Sequence, residues 1–277
     1  MSYLLLNLLA AAVSAVAFFL FRDRVLVFLK QKRISVINYS GKEVLTGGGL
    51  LLLFPCLFAT IPALFVIRHA NIIFYMIMVF ALTFCGMLDD VLGDSSSKGL
   101  AGHAGRFLKG GLSTGWIKAL TGGMIGMLLA WSRYRNLFLF LLDTLSFALC
   151  VNLVNLLDLR PGRAIKGFLF VLFLVMLVSG FTEVWAVLPV VSALVFYLKG
   201  EMKETYMLGD TGANLLGGIL GFYQTIRLPL EGKIILTLFL ALLHILAEFQ
   251  SFSKWIDAVP ILRKIDMLGR KTGGEGN

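Results

Sequence analysis

The chain has 277 residues, 58% of them hydrophobic and 15% charged, with a mean hydropathy of +0.87 and a formal net charge of +9. That makeup excludes an ordinary soluble domain and predicts an all-α, polytopic membrane protein, a single integral domain over 1–277. The positive charge suits membrane topology and anionic headgroups, not nucleic acid, and Cys56, Cys85 and Cys150 lie apart in apolar runs with no metal-type spacing.

Apolar windows long enough to cross roughly 30 Å of hydrocarbon recur at about 3–21, 47–67, 70–88, 113–131, 136–157, 167–182, 184–198, 211–226 and 232–250. Nine transmembrane helices are expected. The first has no Lys or Arg before it and is followed at once by Arg22, Arg24, Lys30, Lys32 and Arg33, so it is a retained helix and not a cleavable signal peptide. With the N-terminus outside and the C-terminus cytoplasmic, the 22–46, 89–112, 158–166, 199–210 and 251–277 segments fall inside. Lys118 is assigned to the inner end of span four. Of the 25 basic residues, only Arg68, Arg133, Arg135, Arg227 and Lys233 then fall outside. No linker or fixed-period repeat divides the chain. The tail, about 253–277, mixes Trp255, Ile256, Ile261, Leu262 and Ile265 with Lys254, Arg263, Lys264 and Arg270, which suits a basic helix lying in the inner interface, interrupted at Pro260.

Three polar clusters reach the inner face. Asp89 and Asp90 end the third span, where negative charge at a helix C-terminus is mildly unfavourable and invites a cation; solvated acids ending a helix are the plainer alternative. Asn152, Asn155 and Asp158 recur at i, i+3 and i+6 and so share one helix face, either as interhelical contacts or as ligand contacts, beside Arg160, Pro161, Gly162, Arg163 and Lys166. Those cations suit phosphate oxygens. Asp210 and Thr211 open the eighth span in a glycine-rich stretch, GDTGANLLGG, which could equally be an ordinary N-cap on a tightly packed helix. Carboxylates from three helices beside Lys98, Arg106, Lys109, Arg163 and Lys166 are a donor set that suits Mg²⁺ shared with substrate phosphates.

Four stretches, KEVLTGGGL (42–50), GMLDDVLGD with KGL (86–94, 98–100), NLVNLLD (152–158) and GDTGANLLGG (209–218), in this order resemble the polyprenyl-phosphate N-acetylhexosamine-1-phosphate transferases. These membrane enzymes begin peptidoglycan and other cell-envelope glycans. The resemblance covers about residues 40–225 and implies a multi-pass protein of the bacterial plasma membrane. It would transfer phospho-N-acetylhexosamine from a UDP-sugar to undecaprenyl-type phosphate, with Mg²⁺ as cofactor and UMP released. It implies Asp90 and Asp210 on the metal, Asp89 as base or orienter of the lipid phosphate, and Lys98 with Asp89, Asp90 and Asp210 as the catalytic set. Lys42, Thr46, Lys109, Asn152, Asn155, Asp158, Arg163, Lys166 and His244 are the expected substrate contacts. Membrane lipids are expected partners, and monomer and homodimer both stay open.

The chain departs from the family where Pro161 replaces a second Asp, where Met207 replaces an aromatic that can stack on uracil, and in lacking the His-rich loop and final span. His244 and Glu248, one helical turn apart, are either a partial substitute or a structural pair. A transporter, with Asp143 inside a span, and a non-catalytic relative that binds lipid or nucleotide are the competing readings.

Overall fold

The computed structural model describes residues 3–66, 70–93 and 114–270. Within them lie eleven α-helices, one 3-10 turn and one short hairpin. Helix α1 (Tyr3–Gln31) leads into strands β1 (Ser35–Ile37) and β2 (Glu43–Leu45), then α2 (Leu50–Val66), α3 (Ala70–Leu92), α4 (Thr114–Arg133), α5 (Leu137–Leu157) and α6 (Arg163–Ser179). The 3-10 turn Val184–Ala186 precedes α7 (Leu188–Met202), α8 (Gly209–Arg227), α9 (Leu230–Phe249), α10 (Phe252–Ala258) and α11 (Pro260–Met267).

Among the described residues, four helices are long and apolar enough to cross a membrane: Leu4–Gln31, Ala70–Leu92, Leu137–Leu157 and Leu230–Phe249. The other apolar windows also fold as helices, with shifted ends. Helix α1 runs to Gln31, well past the window's end near residue 21, because Arg and Lys end a hydrophobic window without ending a helix. The α7 helix begins only at Leu188, after Glu183 takes a left-handed φ of 52°. The hairpin was not anticipated. It pairs Ser35 with Leu45 and Ile37 with Glu43 in antiparallel register, and its turn is held by the Asn38 side-chain oxygen, which accepts from the Ser40 and Lys42 amides at 2.9 and 3.0 Å.

Helix α8 is the axis of the fold. Every residue from Thr211 to Thr225 is buried, and its largest interfaces are with α5 and α3. Such enclosure requires small residues on the helix surface. A Cβ at Gly217 would come 2.4 Å from the Val151 Cα of α5, and one at Gly221 would come 2.8 Å from the Phe147 ring. The two glycines stand four apart, the spacing that lets helix backbones approach closely. Around this axis α1 packs on α2 and α7, and α9 packs on α5.

The end of α8 away from Gly209 is closed by a buried ion pair. Lys233 donates to the Asp143 carboxylate (2.7 Å), the Tyr134 hydroxyl (2.6 Å) and the Thr225 carbonyl (2.8 Å), using all three ammonium protons. Asp143, expected as a charge inside a span, is therefore neutralised within the bundle. Removing either partner of such a pair costs about 3–5 kcal/mol.

The tightest approach of backbone to backbone lies before α2. A Cβ at Gly49 would sit 2.1 Å from both the N and Cα of Gly212. Gly49→Ala is expected to lower the thermal midpoint in detergent by the equivalent of about 1–3 kcal/mol or to abolish folding. Gly122→Ala, where no atom lies within 4 Å, is expected to leave the midpoint unchanged or raise it slightly. Equal midpoints for the two variants would contradict this packing.

Candidate functional site

The segment before α2 lies against the segment before α8. Met207 N–H donates to the Leu45 carbonyl (2.7 Å), Gly48 N–H to Met207 (2.9 Å) and Gly49 N–H to Leu208 (2.9 Å). This contact carries Thr46 to the head of α8, and α3 arrives beside it because Gly86 has no side chain: a Cβ there would lie 2.2 Å from the Asp210 carbonyl. At Gly209 the backbone turns with a φ of +66°, and a Cβ would press on the Asp90 carboxylate at 2.6 Å. Glycine satisfies both demands at once.

Asp90 fills the space so created. Its Oδ1 accepts from Thr46 Oγ1 (3.0 Å) and the Asp210 amide (3.1 Å), and its Oδ2 accepts from the Thr211 amide (2.9 Å) and Thr211 Oγ1 (2.5 Å). A helix start leaves several N–H groups without intrahelical partners; Asp90 takes two of these in α8 from across the bundle. The Gly209 amide faces the Asp158 carboxylate. Asp90, Asp158 and Asp210, contributed by three elements, are thus brought together at one helix N-terminus, whose dipole favours negative charge.

Asp90 was expected on the metal. Its two oxygens accept four hydrogen bonds here, about the full acceptor capacity of a carboxylate, so in this arrangement it positions α8. Thr46, expected to contact substrate, is likewise spent on Asp90. Among the described residues, no group of three or more His, Cys, Asp or Glu side chains is placed to hold a metal ion. Asp210 and Asp158 carry carboxylate oxygens of the kind Mg²⁺ takes, one or two at a time, completing its shell with water and phosphate oxygens. Asp89 is half-buried on the last turn of α3, where its carbonyl accepts from Gly93 N–H at 2.7 Å.

The other expected contacts divide. Asn155 Nδ2 donates to Asn214 Oδ1 at 2.9 Å, linking α5 to α8, whereas Asn152 is exposed; the two amides do not share a buried face. Lys42 pairs with Glu204 at 3.7 Å. His244 Nδ1 is bonded to the Leu240 carbonyl of its own helix at 2.7 Å. Lys98 and Lys109 lie outside the described residues. Tyr206, adjacent to Met207, is buried and donates to the Tyr197 carbonyl (2.9 Å), so its ring packs in the core.

Arg163 and Lys166 do not form a phosphate cluster. Arg163 is buried and grips Asp266 through Nε (2.8 Å) and Nη2 (2.9 Å), and its Nη1 donates to Ser253 (2.8 Å). Lys166 Nζ donates to the carbonyls of Ile265, Asp266 and Leu268, closing the C-terminus of α11. Burial alone would raise the Asp266 carboxyl, but the guanidiniums of Arg163 and Arg270 hold it below the usual carboxylate range.

Glu201 was not anticipated. Flanked by Lys199, Met202 and Lys203, it resembles a solvated charge in the sequence, yet it is buried and its Oε1 accepts the Gly162 amide at 2.7 Å. Burial pushes its carboxyl up to about 7. Asp158 is pushed well above the usual range by burial and by the nearby carboxylates of Glu201, Asp210 and Asp90.

Two outcomes follow from this geometry. Asp90→Ala is expected to lower the thermal midpoint by the equivalent of about 2 kcal/mol, equally with Mg²⁺ and with EDTA; a loss confined to the Mg²⁺ sample would instead identify Asp90 as a ligand. Glu201 binds its proton more tightly folded than unfolded, so its contribution is full below the unfolded value near 4.5 and is lost as pH rises through about 7. In EDTA, melting temperature is therefore expected to fall between these pH values by the equivalent of on the order of 3 kcal/mol. Glu201→Gln should flatten that slope, and an unchanged slope would refute the assignment.

No family model matches the chain, and no curated protein matches it, so its chemistry has to be read from this site.

Proposed function

We propose that the chain is a phosphotransferase of the inner face of a bacterial plasma membrane, crossing it nine times with the N-terminus outside. It moves phospho-N-acetylhexosamine from a UDP-sugar to a polyprenyl phosphate and releases UMP. The observation that carries this reading is the convergence of Asp90, Asp158 and Asp210, with Asp89 one residue away, on the head of a buried helix. All four belong to the stretches that resemble the transferase family.

In the reaction a lipid phosphate oxygen attacks the β-phosphorus of the UDP-sugar, the bond from that phosphorus to the bridging oxygen breaks, and UMP leaves with that oxygen. Asp210 and Asp158 would hold Mg²⁺, which supplies charge neutralisation on the pyrophosphate. Asp90 and Thr46 fix the backbone that presents Asp210. Asp89 orients the attacking phosphate, which is already largely ionised at neutral pH, and Lys98 and Lys109 take phosphate oxygens.

A non-catalytic relative that binds lipid or nucleotide is the second reading. It is favoured by one observation, the commitment of Arg163 and Lys166 to the C-terminal helices.

Purified protein reconstituted with undecaprenyl phosphate, Mg²⁺ and a panel of UDP-N-acetylhexosamines is expected to release UMP and form a lipid-linked sugar. Asp210→Asn should melt like the parent while turnover falls by at least about 100-fold. Absence of UMP with every sugar, or near-parental turnover in Asp210→Asn, would remove the transferase reading.

A further inference from the structure

Helices α10 and α11 are attached to the rest of the protein by charge and not by apolar packing. No residue of α10 is buried, and in α11 only Asp266 is. The attachment consists of Arg163 and Arg270 on Asp266, the bidentate pair of Arg160 with Asp257 at 2.8 and 2.9 Å, and Lys166 on the last carbonyls. The large apolar side chains of α10 are half-buried, whereas those of α11 are exposed. Ile261, Leu262, Ile265 and Leu268 recur at helical spacing on one side of α11, and Ile261 and Leu268 are 71% and 72% exposed.

Two constraints fix what this face meets. Helix α9, one of the four long enough to cross a membrane, ends at Phe249, and α10 begins at Phe252. Two intervening residues reach no more than about 10 Å, so α10 cannot leave the membrane boundary. The far end of the strap is held by Arg163, the first residue of α6. The strap thus runs from the end of α9 to the start of α6, and with α9 crossing the membrane it would lie close to the bilayer surface. Arg263 and Lys264 make no side-chain hydrogen bond or ion pair among the described residues, and they line a cleft of about 340 Å³ with Pro260, Met267 and Asp257, whose carboxylate is already engaged by Arg160.

We propose that α10 and α11 form a membrane-seated strap that buries its Ile261–Leu268 face in the inner leaflet and takes the phosphate of an anionic phospholipid at Arg263 and Lys264. Charge complementarity selects this occupant: apolar side chains flanked by unpaired cations fit an anionic lipid surface, with about fivefold tighter seating for each basic residue near it. The inference depends on α9 crossing the membrane and not on the transferase reading.

The test uses full-length protein in nanodiscs of phosphatidylcholine alone or with phosphatidylglycerol, carrying one nitroxide label at Ile261→Cys, Leu268→Cys or, as the exposed reference, Lys203→Cys. The native cysteines are all buried. In phosphatidylglycerol discs the ratio of oxygen to water-soluble nickel-chelate accessibility is expected to be at least about fivefold higher at 261 and 268 than at 203. It should drop in phosphatidylcholine alone and, in the Arg263→Gln/Lys264→Gln double variant, become insensitive to phosphatidylglycerol. Water exposure at 261 and 268 equal to that at 203, a ratio indifferent to lipid charge, or dipolar coupling between labels of two copies would each overturn the proposal. UMP release plays no part in the readout, so failure here and failure of the transferase reading are distinguishable.

Discussion

The carboxylate of Asp90 on the first amides of α8 is the contact that the rest of the site depends on. A helix that begins inside a bundle of apolar helices cannot hand its unpaired N–H groups to water, and each one left unsatisfied there costs several kcal/mol. Asp90 meets this need from another helix, which is possible only if α3 and α8 approach almost to backbone contact. Gly86 and Gly209 provide that approach. Because the same carboxylate also holds Thr46, it ties three separate pieces of chain, the segment before α2, the end of α3 and the start of α8, to one point.

The arrangement of charge follows from that tie. Two carboxylates, Asp90 and Asp158, serve α8's N-terminus, and Asp210 stands on its first turn, so a partial positive charge equivalent to roughly half a unit faces three acids, with Glu201 close by. The helix end alone does not balance them. Burial is the main reason that Asp158 and Glu201 hold their protons above the usual range, and the neighbouring carboxylates push Asp158 further in the same direction.

The sequence carried the helices and the clustering of the site well, because both depend on short-range spacing. Apolar windows of sufficient length became helices, and motifs at helix ends put Asp90, Asp158 and Asp210 on one side of the bundle. It carried roles poorly. Nothing local distinguishes an aspartate that caps a distant helix from one that binds metal, and the difference lies in Gly209 and Thr211, 119 and 121 positions later in the chain. Glu201 was hidden for the same reason: its partner, the Gly162 amide, belongs to a different turn. Arg163 and Lys166 suited phosphate by type, but in the tail the Asp266 carboxylate engages Arg163 and the carbonyls of Ile265, Asp266 and Leu268 engage Lys166. The tail's amphipathic pattern and its break at Pro260 were legible, and its attachment points were not.

The commitment of those cations alters the chemistry the site can do. With Arg160, Arg163, Lys166 and Arg270 all directed to the strap, the described surroundings of Asp90, Asp158 and Asp210 are acidic. A pyrophosphate approaching them would be repelled unless positive charge arrives with it or meets it there. Mg²⁺ delivered with the nucleotide sugar is one source and fits the oxygen donors of Asp210 and Asp158. Under the proposed phosphotransferase reading, the basic run of the sequence with Lys98, Arg106 and Lys109 would be a second source. On the same reading, a polyanionic substrate would enter among these carboxylates as a cation complex, which ties its recognition to the same acids that would otherwise exclude it.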